Sequence, residues 1–257
     1  MISLNLRGGL GNQIIQIGAA INKNKDFRVN TVAYDLNPLL IDYRNNSFNS
    51  RILEKCGLAF RFLTSKYKGK RSDFDACGIM DGYFQAGIQS DVVPNCLFLN
   101  LCKQLEQEME QAKKYDLVIH YRGGDYLDPI NKKIFELIDE KYYKLALMQL
   151  ADTVDISRFN VQIITNDVQA AEAVFSGFFD NDFKISSGSE IDDFCTLIKS
   201  SFAIIPNSTF SLTARIIASK MGLDKGTYYP SNWFTKSSRM YGPKINEFVN
   251  VEGSKCI

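Results

Sequence analysis

From residue 115 onward the sequence alternates strand and helix signals without a break, and this alternation limits the chain to few folds. Leu117, Val118 and Ile119 predict a buried strand, and residues 134–151 predict a helix. Val161–Thr165 predict a second strand, and Asn166 and Asp167 open a helix running to about Phe175. Phe183–Ser186 predict a short strand, followed by a helix that begins at Glu190, Asp192 and Asp193 and carries Phe194, Leu197 and Ile198. Phe202–Ile205 predict another strand, stopped by Pro206. Asn207, Ser208, Thr209 and Ser211 then start a helix that buries Phe210, Leu212, Ala214, Ile216 and Ile217. Tyr228 and Tyr229 give a final strand, and residues 244–251 a last helix. Strands joined through helices pair in parallel, because a parallel neighbour is reached only by a crossover. The expected fold class is therefore α/β with parallel sheets.

The first part of the chain opens the same way. Ile2–Leu6 predict a strand, broken by Gly8, Gly9 and Gly11. A helix follows from Asn12 or Gln13, with Ile14, Ile15, Ile17 and Ile21 on it. Exposed amides at such a helix start suit an anion. The spacing G-G-x-G is not the dinucleotide pattern G-x-G-x-x-G. Phe27–Tyr34 predict a strand, residues 50–58 a helix, and Lys66–Arg71 a basic loop. Asp81, Tyr83 and Gln85 form an aromatic-polar cluster near a turn. Leu97–Lys114 read as one amphipathic helix, with Leu101, Leu105, Met109 and Ala112 recurring at three or four residues. A domain junction is expected near residue 114, at the end of that crossover helix.

Charge and cysteines exclude several functions. Lys and Arg number 30 against 29 Asp and Glu, a net charge of +1, so nothing steers the molecule toward nucleic acid. The chain has one histidine and six cysteines with no C-x-x-C pair, which argues against a Cys/His zinc site. Free thiols in a reducing cytoplasm are expected. The opening MISLNLRGGLGNQ has neither a basic n-region nor an apolar h-region, so no secretory leader is expected. No apolar run reaches the length of a membrane span.

Three predicted strand ends carry polar groups: His120, Arg122 and Asp125; Thr165, Asn166 and Asp167; Asn207, Ser208 and Thr209. In one parallel sheet they project from one edge, where open α/β sheets bind ligands. Arg122 offers a planar fork for phosphate or carboxylate. Ser208 and Thr209 at a helix start offer amides and hydroxyls to phosphate oxygens, or simply cap the helix. No Walker A, G-x-S-x-G or H-E-x-x-H motif occurs. Asp192 and Asp193 fit dipole stabilisation of a helix start rather than a metal.

Five blocks in order resemble the bacterial α-1,2-fucosyltransferases, glycosyltransferase family 11. They are Arg7–Gln13 (RGGLGNQ), Asp81–Gln85 (DGYFQ), His120–Asp125 (HYRGGD), Thr165–Asp167 (TND) and Asn207–Ser211 (NSTFS). The resemblance covers nearly the whole chain. It implies a GT-B-like fold of two Rossmann-like domains facing a cleft, residues 1–114 on the acceptor side and 115–257 binding the GDP-sugar. It implies inverting transfer of fucose from GDP-β-L-fucose to O2 of a galactose in a glycan or lipid-linked acceptor, with no essential metal or cofactor. On that resemblance Arg122 grips the β-phosphate, and His120 and Asp125 shape its pocket. Asn207, Ser208 and Thr209 hold the nucleotide, Asp167 orients the donor, and Gly9, Gly11 and Asn12 close from the N-terminal side. Asp125 is the first candidate for a base and Asp81 the second. The sequence departs from the family in three places: Gly123 replaces a second arginine, TND replaces S-D-D, and Leu212-Thr213 replace a tryptophan pair. The readings kept beside this one are a related GDP-sugar transferase of other donor or linkage, and a noncatalytic nucleotide- or glycan-binding protein. The expected location is the cytoplasm, with peripheral contact at the inner face of the cytoplasmic membrane.

Overall fold

The computed structural model describes residues 2–23, 26–30, 35–43, 74–76, 79–81, 91–123, 129, 131–179, 183–186, 188–236 and 255–257. The chain divides into two compact units, Met1–Leu105 and Glu106–Ile257. Each is α/β and built on a mainly parallel sheet, as the alternation predicts.

In the first unit β1 (Ile2–Asn5) leads through a glycine turn into α1 (Leu10–Asn22). Strand β2 (Phe27–Asn30) returns parallel to β1, and β4 (Ile79–Asp81) pairs parallel on its other side. Strand β3 (Phe74–Ala76) closes the sheet antiparallel, in the order β2-β1-β4-β3. Leu10–Gly11 and Gln13–Ala20 of α1 are all buried, so the helix is enclosed on nearly every side rather than lying on a surface. Gly18 explains how this is possible. A Cβ there would lie 2.2 Å from the Val92 carbonyl oxygen, so only glycine lets segment 91–94 cross the helix. Asn22 Nδ2 holds the same segment by donating to Asp91 O at 2.7 Å.

The helix expected over residues 97–114 is two helices, α2 (Asn95–Gln104) and α3 (Glu106–Gln111). Leu97, Leu101 and Leu105 form one buried seam, and Leu105 caps α2 with its N–H on Leu101 O. Beyond Leu105 the apolar seam stops, since α3 buries no residue. The segment is held instead by Lys199, whose ammonium donates to Met109 O at 2.7 Å and to Ala112 O. A cation on the closing carbonyls of a helix is favourable.

The second unit carries β5 (Leu117–Tyr121), α4 (Glu140–Ala151), β6 (Val161–Thr165), α5 (Val168–Phe175) and β7 (Lys184–Ile185). It continues with α6 (Glu190–Lys199), β8 (Phe202–Ile204), α7 (Thr209–Lys220), β9 (Gly226–Tyr229) and β10 (Lys255–Cys256). The sheet order is β10-β9-β8-β5-β6-β7, with every neighbouring pair parallel. Counted from β5 as the first strand this is 3-2-1-4-5-6, the doubly wound order, which reverses between β5 and β8. Leu117, Val118, Ile119 and His120 are buried in succession because helices cover both faces of the sheet. On one face Leu117, Ile119 and Ile163 pack with Tyr143, Leu147, Leu150 and Phe175. Each such aliphatic burial contributes about 1.5–3 kcal/mol.

Helix α4 begins six residues after the expected start. Asp139 Oδ1 accepts from the amides of Lys141 and Tyr142, a stronger start signal than anything upstream. Residues before it are used otherwise: Asn131–Lys133 form a short 3-10 turn, and Phe135 bridges antiparallel to Phe234. The readings for residues 50–58, 66–71 and 244–251 lie outside the described residues. Among those described, no helix is long and apolar enough to cross a membrane.

Candidate functional site

Strand β5 delivers His120, Tyr121, Arg122 and Gly123 to the carboxyl edge of the second sheet. His120 is 7% exposed, and its ring meets the edge of Phe210 at 6.0 Å between centroids. Burial first, then the Arg122 charge, pushes its pKa down to about 3, so the imidazole is neutral near pH 7. Its Nδ1 is buried and has no hydrogen-bond partner. Arg122 is half-buried, with Nη1 3.5 Å from Ser208 Oγ. The Gly123 amide donates to Asn166 Oδ1 at 3.2 Å. A Cβ on Gly123 would sit 3.2 Å from both Cβ and Oδ2 of Asp167. At the position where the resembled family has a second arginine, a side chain would therefore need Asp167 to shift by a few tenths of an ångström.

At the end of β6, Thr165 Oγ1 accepts from the Asp167 amide at 2.9 Å, and Asp167 Oδ1 caps α5 by accepting from Ala170 N. Burial, then Asp167 and Glu140, raises the pKa of the Tyr121 phenol.

The end of β8 is built differently. Asn207 is buried, and its Nδ2 donates to Glu136 O at 2.9 Å and Trp233 O at 3.0 Å, tying two loops to the strand end. Ser208 is the N-cap of α7, yet its side chain makes no cap bond. Its hydroxyl is the one within reach of Arg122. Helices α4, α5 and α6 start with side-chain caps from Asp139, Asp167 and Ser189. The first-turn amides of α7, at Thr209, Phe210 and Ser211, lack one. A guanidinium beside such a helix start is chemically suited to an anion.

Strands β6, β5 and β8 are consecutive in the sheet, so the three polar strand ends share one edge. Arg122 and Ser208 flank the point where the strand order reverses, which is where doubly wound sheets open a ligand crevice. Gly124 and Asp125 lie outside the described residues, as do Tyr83 and Gln85. Asp81 ends β4 in register with Asn5.

Gly9, Gly11 and Asn12 belong to the first unit. Gly8 turns the chain at φ 73°, where its missing Cβ would collide with Asn12 Nδ2 at 2.5 Å. Gly9 is the N-cap of α1 and Gly11 is buried in its first turn. The glutamines give this corner its shape. Gln13 donates to Gly8 O and Asp35 O and accepts from Asn37 N, all within 3.1 Å. Gln16 closes on both backbone groups of Arg7 at 2.9 Å. The sequence reading overlooked Gln16; an amide on an otherwise apolar helix face was the available signal.

Arg215 also went unnoticed. It is 0% exposed in the middle of α7. It bonds Asp224 at 2.5 Å, Thr227 Oγ1 at 2.9 Å, and the carbonyls of Leu197 and Ser200 at 2.5 and 2.9 Å. Among the described residues Cys96, Cys102 and Cys195 are free thiols, and no three His, Cys, Asp or Glu side chains gather as a metal ion would require.

No protein-family model matches the sequence, and no curated protein matches it. Solved structures resemble it at low identity. NodZ alpha-1,6-fucosyltransferase co-crystallized with GDP shares 12% identity at a TM-score of 0.44, over 83% of this chain and 91% of that one. Fucosyltransferase NodZ from Bradyrhizobium shares 11% at 0.43 over the same fractions. NodZ soaked with GDP-fucose shares 13% at 0.40, over 84% of this chain and 92% of that one. No functional residue is carried over from a likeness of that size.

Proposed function

We propose that this protein is an inverting fucosyltransferase of GT-B type that moves L-fucose from GDP-β-L-fucose to O2 of a galactose in a surface glycan or lipid-linked acceptor. The observation that carries the reading is the meeting of Arg122 and the uncapped start of α7 at Ser208, across the reversal between β5 and β8. These residues belong to the HYRGGD and NSTFS blocks that resemble family 11. In the mechanism, the C1–O bond to the β-phosphate breaks as the galactose O2 attacks from the opposite face. Negative charge grows on the departing GDP, and Arg122 with the α7 amides stabilises it where it grows. His120 stays neutral and fills the pocket wall beside Phe210. Asp125 is the candidate to take the proton of the galactose hydroxyl.

The test is GDP release from GDP-fucose with a panel of β-galactosides, in EDTA. Turnover with O2-linked product supports the reading; no GDP binding together with no turnover on the panel removes it. A second reading follows from Gly123, since Asp167 occupies the space beside it. A site with one arginine instead of two is compatible with another GDP-sugar or another linkage. Competition among GDP-fucose, GDP-mannose and UDP-sugars, with linkage analysis of the product, separates the two.

A further inference from the structure

The ladder of the second sheet stops on both sides of β8 for one chemical reason. In a parallel sheet a residue's N–H and C=O face the same neighbour, and successive residues face alternate neighbours. Phe202 N donates to Asp116 O at 2.8 Å, which fixes the β5–β8 rungs. Two rungs on, the residue due to donate to His120 O is Pro206. On the other side Ile205 N donates to Tyr228 O at 2.9 Å, and the residue due to donate back to Ile205 O is Pro230. Proline has no N–H. Both carbonyls would be buried without a donor, a costly state.

Two consecutive tyrosines of α4 replace the missing amides. Tyr143 Oη donates to His120 O at 3.1 Å. Tyr142 Oη donates to Ile205 O at 2.6 Å and lies 3.1 Å from Tyr228 O. Both rings are buried and pack edge to face at 5.0 Å. A hydroxyl reaching in from a helix satisfies the carbonyl without requiring the neighbouring strand to continue. The strands are thereby released where the sheet order reverses. Tyr143 anchors the backbone two residues before Arg122, and Tyr142 anchors it three residues before Ser208.

We infer that Tyr142 and Tyr143 are positioning residues which, with Pro206 and Pro230, open the sheet at the reversal and set the spacing of Arg122 and Ser208. The functional part of this inference rests on the nucleotide-sugar reading above. The test compares Tyr142→Phe, Tyr143→Phe and the double variant Tyr143→Phe/Pro206→Ala. Two quantities are read: the dissociation constant for GDP, and native-state hydrogen exchange in the free protein. Each phenylalanine variant is expected to weaken GDP about tenfold, the size of one lost buried hydrogen bond. Amides 122–123 and 208–211 exchange faster, while those in the middle of β6 and α6 do not. Pro206→Ala returns an N–H to His120 O and recovers most of the Tyr143→Phe loss. Uniformly faster exchange across the second unit, or a Pro206→Ala that adds to the loss, overturns the inference. If the wild-type protein does not bind GDP, the nucleotide-sugar reading fails and exchange alone decides the tyrosines. If it binds and the variants bind equally well, the tyrosine inference fails while that reading stands.

Discussion

Arg122 and Arg215 sit in the same α/β unit, and their surroundings give them opposite tasks. Arg215 is enclosed, and its own chain supplies Asp224, Thr227 Oγ1 and two carbonyls. Burial lowers its pKa, and Asp224 acts against that shift. Arg122 is half-buried at a sheet edge, beside a serine that leaves its helix uncapped. A guanidinium saturated by its own chain ties α6, α7 and β9 together. One at an open helix start can meet a phosphate. The contrast teaches that depth of burial and the neighbouring chain assign an arginine its role.

Substitution breaks the comparison most sharply at Arg215. Arg215→Ala leaves the Asp224 carboxylate buried without its cation, and urea unfolding should show a loss of about 3–5 kcal/mol. If the proposed function holds, Arg122→Ala should lower kcat/KM for the GDP-sugar by roughly a hundred- to thousandfold and cost less stability than Arg215→Ala. Lysine at 122 should recover only part, because it lacks the planar fork. The serines sharpen the same division. Ser189 forms a reciprocal capping box with Asp192, so Ser189→Ala should cost about 1 kcal/mol and leave GDP affinity alone. Ser208→Ala should do the reverse, weakening GDP roughly tenfold at unchanged thermal stability.

Stability against pH gives two effects of opposite sign. His120 falls from its ordinary 6.5 to about 3 in the fold, so its contribution is present above pH 6.5 and is lost as pH drops toward 3. Asp193 rises from 3.8 to about 6, chiefly through burial, so its folded state is favoured at low pH and loses ground as pH climbs from 4 through 6. Melting curves of Asp193→Asn should therefore rise more steeply between pH 4 and 6 than those of the wild type. An unchanged slope would contradict the burial of that carboxyl. Gly123→Ala should have a small effect: Asp167 must yield a few tenths of an ångström, costing about 1 kcal/mol.

Much of the fold was legible because strands and helices alternate with strong apolar cores, as VQIIT and Leu117–Ile119 do. Shared sheet membership of the three polar strand ends followed from the parallel rule. The order of strands did not, since pairing of β5 with β8 is a tertiary fact. Helix limits failed where the apolar period outran the helix: the repeat carried through Leu105 although the chain turned there. Arg215 escaped because a lone cation reads as solvent-facing, and its partners Asp224 and Thr227 lie on the following turn and strand. The signal was present, in a helix otherwise free of charge until Lys220. Two tyrosines in a row on α4 read as plain core, and only the sheet register shows which donors they replace.

The doubly wound order also has a consequence in time. Arg122 and Ser208 are 86 positions apart in the chain, and their strands become neighbours only after α4, β6, α5, β7 and α6 have been threaded between them. Contacts of such separation form slowly, since a long loop must be closed before they return any free energy. If the proposed function holds, competence to bind GDP should therefore be among the last properties to appear during refolding, later than helix content. A fluorescent GDP analogue added in a stopped-flow experiment would time the closing of the central strands and so serve as a clock for the fold.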